Sequence, residues 1–110
     1  MSIESNKNAG VLVVMPRGRL DTQASPEAEQ FIMQAIDQGE SRILMDFGAT
    51  DYISSAGLRV LLKATKQIKQ VGGAFGLCNA NEQIREVLKI SGFETLMPCY
   101  EGLDEALARL

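Results

Sequence analysis

The chain predicts a single α/β domain over residues 1–110: a small mixed sheet of about five strands with about four helices packed against it. Three observations lead there. Short apolar runs rich in β-branched residues alternate with stretches whose apolar residues recur at helical spacing. Turn or capping residues mark most of the boundaries. The run Arg42-Ile43-Leu44-Met45-Asp46-Phe47 is apolar at consecutive positions, as a strand covered on both faces is.

In order, residues 1–8 are polar apart from Ile3 and suit an edge strand or a frayed end. Val11-Leu12-Val13-Val14-Met15 is a buried strand, with Pro16 and Gly18 weakening its far end. A hairpin through Asn8-Ala9-Gly10 would pair the two and make the sheet mixed. Gly18-Arg19-Leu20-Asp21-Thr22 reads as a turn-rich exit, leaving Asp21 and Thr22 past the strand end, where loops carry function.

Ser25-Pro26-Glu27 opens a helix: Ser25 caps it, Pro26 suits the first helical position, and Glu27 and Glu29 complement the dipole. Ala28, Phe31, Ile32, Ala35 and Ile36 make its buried stripe, and Gly39 its left-handed end. The strand at Arg42 follows, ended by Gly48, and a loop through Asp51 leads to a long helix over 56–71. Leu58, Leu61, Leu62, Thr65 and Ile68 line the core face of that helix, which leaves Val60 and Ala64 partly exposed. Gly72-Gly73 stops it.

Ala74-Phe75-Gly76-Leu77-Cys78 is a strand whose glycine implies close backbone approach. Asn81 caps a further helix with Ile84, Val87 and Leu88 inward, ended by Gly92, with Phe93 placed for a Schellman-type contact. Thr95-Leu96-Met97 reads as a brief strand before Pro98. The last helix carries Leu103, Ala106, Leu107 and Leu110 at i, i+3, i+4 and i+7.

Composition removes several classes of function. The net charge is −3 and the eleven basic residues are scattered, which disfavours nucleic acid or an anionic membrane surface as partner. Lys63, Lys66 and Lys69 are spaced as a solvated helix face. No apolar run approaches the roughly 20 residues of a membrane span. Cys78 and Cys99 lack metal-ligand spacing, and Cys78, closing an apolar run, reads as reduced and buried. With no signal peptide, a cytoplasmic setting is expected. The chain has no histidine, so neither a Ser-His nor a Cys-His pair can form within it.

The candidate chemistry sits in Asp51-Tyr52-Ile53-Ser54-Ser55-Ala56-Gly57-Leu58, where a loop becomes the long helix. A serine at that place can cap the helix or can be modified. Capping needs only one serine. The free N–H groups of a helix start also suit an added phosphate, and Ala56 and Gly57 leave the approach open. A nucleophile elbow would need Gly-x-Ser-x-Gly and a base; Ile53 stands where the first glycine belongs. Gly72-Gly73-Ala74-Phe75-Gly76 runs from helix to strand, the reverse of a dinucleotide-binding turn. Asp21, Asp46 and Asp51 lie at or after strand ends, but nothing fixes ligand geometry for magnesium.

Tyr52-Ile53-Ser54-Ser55-Ala56-Gly57-Leu58-Arg59-Val60-Leu61-Leu62 resembles the signature loop and helix of STAS domains, which include the bacterial anti-sigma factor antagonists. Gly18-Arg19-Leu20-Asp21 resembles a second landmark, and the strand at Arg42 and the closing Leu103-Asp104-Glu105-Ala106-Leu107 also fit. The resemblance spans nearly the whole chain. It implies the small mixed sheet expected above and a protein that is not an enzyme. The implied partners are an anti-sigma factor that is also a serine-protein kinase, and a serine phosphatase; no nucleic acid, membrane, metal or cofactor is implied. The unphosphorylated antagonist binds the kinase and phosphorylation releases it. The acceptor position matches Ser55, with Ser54 as the alternative, because Ser54 and Ala56 replace the aspartate and second hydroxyl of Asp-Ser-Ser/Thr-Gly-Leu. Asp21, Thr22, Ser54, Ser55, Gly57, Arg59 and Val60 are the expected partner-binding residues. A STAS scaffold or accessory subunit of a larger assembly, such as a phospholipid-transport complex, with the serines only as caps, is the other reading.

Overall fold

The computed structural model describes residues 2–110. Its elements run β1 (Ser2–Asn8), β2 (Val11–Leu20), α1 (Ser25–Asp37), β3 (Arg42–Asp46), β4 (Thr50–Ile53), α2 (Ser55–Gln70), β5 (Ala74–Cys78), α3 (Glu82–Ile90), a 3-10 turn (Phe93–Thr95), β6 (Cys99–Tyr100) and α4 (Leu103–Arg109). The sheet has six strands, five of them in the order β1-β2-β3-β5-β6, with β4 paired to the far half of β2. Only β1 is antiparallel, so the sheet is mixed, and the α/β class read from the sequence holds.

The hairpin between β1 and β2 turns on Ala9 and Gly10, both at positive φ. Two consecutive left-handed residues make the turn whose twist matches that of the strands it joins. On the far side of β2 the sequence reading stopped too early. Pro16 and Gly18 do not end the strand. It continues to Leu20 through a register shift between Gly18 and Arg19, where Gly18 sits at φ +93. A bulge of this kind bends a strand and lets it change partner. Residues 12–14 pair with β3, while 18–20 pair with β4. Thr50 secures the crossing from beneath, its buried Oγ1 donating to the Pro16 carbonyl at 2.6 Å.

Strand β4 itself was read as loop. Its four residues follow a Gly48-Ala49 turn and alternate buried, exposed, exposed, buried, too short a pattern for periodicity to reveal. A smaller correction concerns the C-terminal third. The brief strand expected at 95–97 is the end of a 3-10 turn, and the strand lies beyond Pro98, at Cys99–Tyr100. Gly92 does take the left-handed conformation.

Each face of the sheet carries its own core. On one, Val14, Ile43, Met45, Phe75 and Leu77 meet Ile32 of α1, Leu61 and Ile68 of α2, and Ile84 and Leu88 of α3. On the other, Val11, Val13, Leu44 and Cys78 meet Ala106 of α4, with Leu103, Leu107 and Leu110 packed alongside. Alternation along β2, β3 and β5 sends successive side chains to these two cores, which is why the strands read as continuous apolar runs. Gly73 permits a close approach at the edge of this arrangement. A Cβ there would lie 2.0 Å from the Ser41 carbonyl oxygen, whose partner is the Ala74 N–H.

The stripe of α2 is rotated from its expected position. Val60 (3% exposed) and Ala64 (0%) are buried, not partly exposed, and Leu58 and Leu62 are only half-buried. Helix α2 has helix α1 on one side as well as the sheet beneath, so its apolar arc is wider than a one-sided stripe.

Both cysteines are free. Burial and the nearby Asp46 carboxylate push the Cys78 thiol up to about 12. The unfolded chain therefore releases this proton first, in the ordinary thiol range, while the folded chain still holds it. Stability is unaffected by the thiol at neutral pH and declines as pH rises from about 9 towards 12, by up to about 1.4 kcal/mol per pH unit. Denaturant titrations of wild type and Cys78→Ala across pH 8 to about 11 should show a shallower alkaline decline in the variant.

Candidate functional site

Strands β2 and β4 run parallel and end together, Leu20 opposite Ile53. The chain then leaves β2 into the 21–24 turn and leaves β4 into α2. Residues far apart in sequence thus meet at one end of the sheet, where the free ends of parallel strands ordinarily carry binding sites.

Ser54 occupies the N-cap of α2 in extended conformation (φ −94, ψ 175). Its Oγ accepts from the Gly57 N–H at 3.2 Å and lies 3.3 Å from the Leu20 carbonyl oxygen, to which it donates. Its own N–H donates to the same carbonyl at 3.0 Å, and its carbonyl accepts from Leu58 N–H at 2.9 Å. Each polar group of Ser54 therefore has a structural task.

Ser55, one residue on, is different. It is the first helical residue, it is exposed, and its hydroxyl has no hydrogen-bond partner among the described residues. Helix geometry leaves the N–H groups of the first turn without intrahelical acceptors. The Gly57 N–H is used by Ser54, while those of Ser55 and Ala56 remain open beside the Ser55 side chain. No acidic residue stands in this first turn. An added anion on Ser55 would meet the positive end of the helix dipole.

Asp21 begins the neighbouring turn. Its Oδ1 accepts from the N–H groups of Gln23 and Ala24 at 3.1 and 3.0 Å, an Asx-type turn, and its Oδ2 is 3.9 Å from Arg19 Nε. Ser25 does not cap α1 as expected. It is the first helical residue, and its Oγ donates to the Asp21 carbonyl at 2.6 Å. Asp21 has taken the capping task one turn earlier. Thr22 is exposed at the tip.

Of the seven residues expected to meet a partner, Asp21, Thr22, Ser54, Ser55 and Arg59 gather on this surface. Gly57 and Val60 do not reach it, because both are buried. A Cβ on Gly57 would lie 2.7 Å from Ile53 Cγ1 and 2.8 Å from the Leu20 carbonyl oxygen. This glycine is needed where the helix start rests on the ends of two strands. Asp46 and Asp51 do not join the cluster as metal ligands. Asp46 accepts from the Gly48 N–H and the Asn79 amide, Asp51 is exposed, and no group able to hold a metal occurs among the described residues.

Two residues were missed. Tyr52 is 38% exposed, and the Arg19 guanidinium lies over its ring, 4.3 Å from the centroid. Beside Tyr52, a hollow of about 280 Å³ opens between Ile53 and Val87 of α3. The signal for the pair is the register Arg19↔Tyr52, which exists only once β4 is recognised.

The family model of the STAS domain matches residues 2–106. The chain belongs to the STAS domain family. BtrV of Bordetella bronchiseptica is 37% identical to it over 108 residues, covering 98% of this chain and 93% of that one. The anti-sigma F factor antagonist of Paenibacillus polymyxa is 31% identical, covering 100% and 95%. Among solved structures, unphosphorylated SpoIIAA, an anti-sigma factor antagonist, superposes with a TM-score of 0.76 at 22% identity, covering 98% of this chain and 96% of its own. The phosphorylated form of Bacillus SpoIIAA matches with the same score at 24%, covering 98% of each. At these identities the structural likeness is one of fold. No helix among the described residues is long and apolar enough to cross a membrane.

The three positions at the helix start should separate in stability measurements. Ser54→Ala removes a cap and should cost about 1 kcal/mol. Gly57→Ala forces a Cβ against backbone and should cost about 2 kcal/mol or more. Ser55→Ala should stay within about 0.5 kcal/mol of wild type, as exposed substitutions do. Urea unfolding of the three variants reads this order directly.

Proposed function

We propose that this protein is a cytoplasmic anti-sigma factor antagonist whose hold on its partner is set by phosphorylation of Ser55. The partner is an anti-sigma factor that is also a serine-protein kinase, and a serine phosphatase restores the hydroxyl. The protein is the substrate of this chemistry and carries no catalyst of its own. The observation that carries the reading is the contrast between the two serines. Ser54 is committed to the cap and to Leu20, whereas Ser55 is exposed with an unengaged hydroxyl. The scaffold reading, with serines only as caps, accounts for Ser54 and leaves Ser55 without a role. The family membership and the antagonist named among the relatives point the same way.

The mechanism is local. In the unmodified state Thr22, Ser55, Tyr52 and Arg59 offer a partly apolar surface whose one formal charge is the Arg59 guanidinium. Phosphate brings about −1.5 to −2 charges onto it, close to the acidic Asp21 turn. A complex formed on the unmodified surface then bears repulsion from the partner's acidic groups and the cost of burying a dianion. A change of roughly 3 kcal/mol weakens binding more than a hundredfold. Nothing in this requires the sheet to move, because the acceptor hydroxyl is outside the hydrogen-bond network that fixes the junction.

Incubation with the cognate anti-sigma kinase and labelled ATP should label wild type and Ser54→Ala and leave Ser55→Ala unlabelled. Equal labelling of wild type and Ser55→Ala would overturn the assignment. Ser55→Asp should bind the kinase at least tenfold more weakly than wild type in calorimetry, less than the phosphoprotein does because its charge is smaller.

A further inference from the structure

We infer that Arg59 is the intramolecular partner of the phosphate on Ser55, an inference that rests on Ser55 being the modified residue. The two side chains are four apart on α2 and both are exposed. Residues at this spacing are neighbours on a helix surface, with Cβ atoms about 5–6 Å apart.

Arg59 has no competing attachment. Its other neighbours at three and four residues' distance are Ala56, Leu62 and Lys63, none of them acidic. Among the described residues it makes no ion pair and no side-chain hydrogen bond, unlike three other arginines of the chain. Arg17 holds Glu4 at 2.7 Å, Arg19 lies beside Asp21 and Tyr52, and Arg85 faces Glu101. Two acids of the adjoining elements are engaged elsewhere. Glu29 of α1 is held by Lys63 at 3.0 Å. The Asp21 carboxylate is held by the Gln23 and Ala24 N–H groups. Asp51 of β4 is exposed and makes no ion pair among the described residues.

A phosphate supplies three acceptor oxygens, and guanidinium donates two parallel N–H groups to such an anion. Ser55 in its hydroxyl form offers Arg59 no charge. Phosphorylation therefore changes the state of two groups at once. It places a dianion on the surface, and it draws Arg59 out of reach of an acidic group on the incoming partner. The phosphate is held along the helix rather than left to swing, so the repulsive charge has a fixed position.

The test uses protein in which phosphoserine is installed at position 55 during translation, so that no kinase is needed. Its phosphorus resonance is followed against pH in wild type, Arg59→Gln and Arg59→Lys. Pairing stabilises the dianion, so the wild-type midpoint should lie roughly 0.3–0.5 pH unit below that of Arg59→Gln. Arg59→Lys should fall between them, since a lysine interacts as a point charge without the bidentate fit. Coincident midpoints in wild type and Arg59→Gln would overturn the pairing. Mapping the phosphate on protein taken from its own cells tests the other reading separately: phosphate at Ser54 would remove Ser55 as the natural site whatever the titration shows.

Discussion

The carbonyl of Leu20 is the point on which the functional end of the molecule depends. It accepts from the backbone N–H of Ser54 and from the Ser54 hydroxyl. Gly57 packs against it so closely that a single added carbon would lie 2.8 Å away. Three segments are thereby pinned together: the end of β2, the end of β4 and the start of α2. The buried Leu20 side chain, 0% exposed, anchors the same residue in the main core. A buried carbonyl must find donors, and here both come from the residue before the serine that chemistry can reach.

That arrangement explains how one short stretch can be rigid and still present an exposed hydroxyl, as the proposed function requires. A cap and an acceptor have opposed needs. The first must hold its oxygen in a fixed hydrogen bond, and the second must present its oxygen to another protein's active site. With one serine, modification would break the cap. With two, Ser54 fixes the backbone and Ser55 rides on it exposed, so under the proposed function a phosphate would come and go with the helix start intact. The bulge at Gly18 is the remote condition for this. It turns β2 away from β3 and towards β4, which carries Leu20 to the place where it meets Ser54.

Much of this was legible in the residues, and the failures have physical causes. The left-handed ends at Gly39 and Gly92, the helix stop at Gly72, the Asn81 cap and the doubly covered β3 follow from local chemistry, and the structure shows each. The helix start within the Asp51–Leu58 stretch is legible in the same way, because serine before a helix start is a local signal. What escaped depends on partners distant in sequence. Pro16 looks like a strand end until the chain is seen to pair on both sides of it. Strand β4 has too few residues to show a period. Val60 and Ala64 are buried on a helix that packs on α1 as well as on the sheet, which no pattern within α2 can announce. Gly57 suggests an open approach in the sequence, whereas its missing Cβ serves packing beneath the surface. Ser25 was given a cap that Asp21 supplies, since both residue types suit the task and only the turn geometry chooses.

The central claim is that modification rewrites a surface and leaves the fold alone. Amide nitrogen–proton spectra of the protein with and without phosphate on Ser55, recorded at one pH, test it most directly. Shifts confined to residues 21–24 and 53–59, with the Gly57 amide still protected from exchange by the Ser54 cap, are the predicted result. Comparable shifts in β5 or α4, on the far side of the sheet, or loss of protection at Gly57, would contradict it.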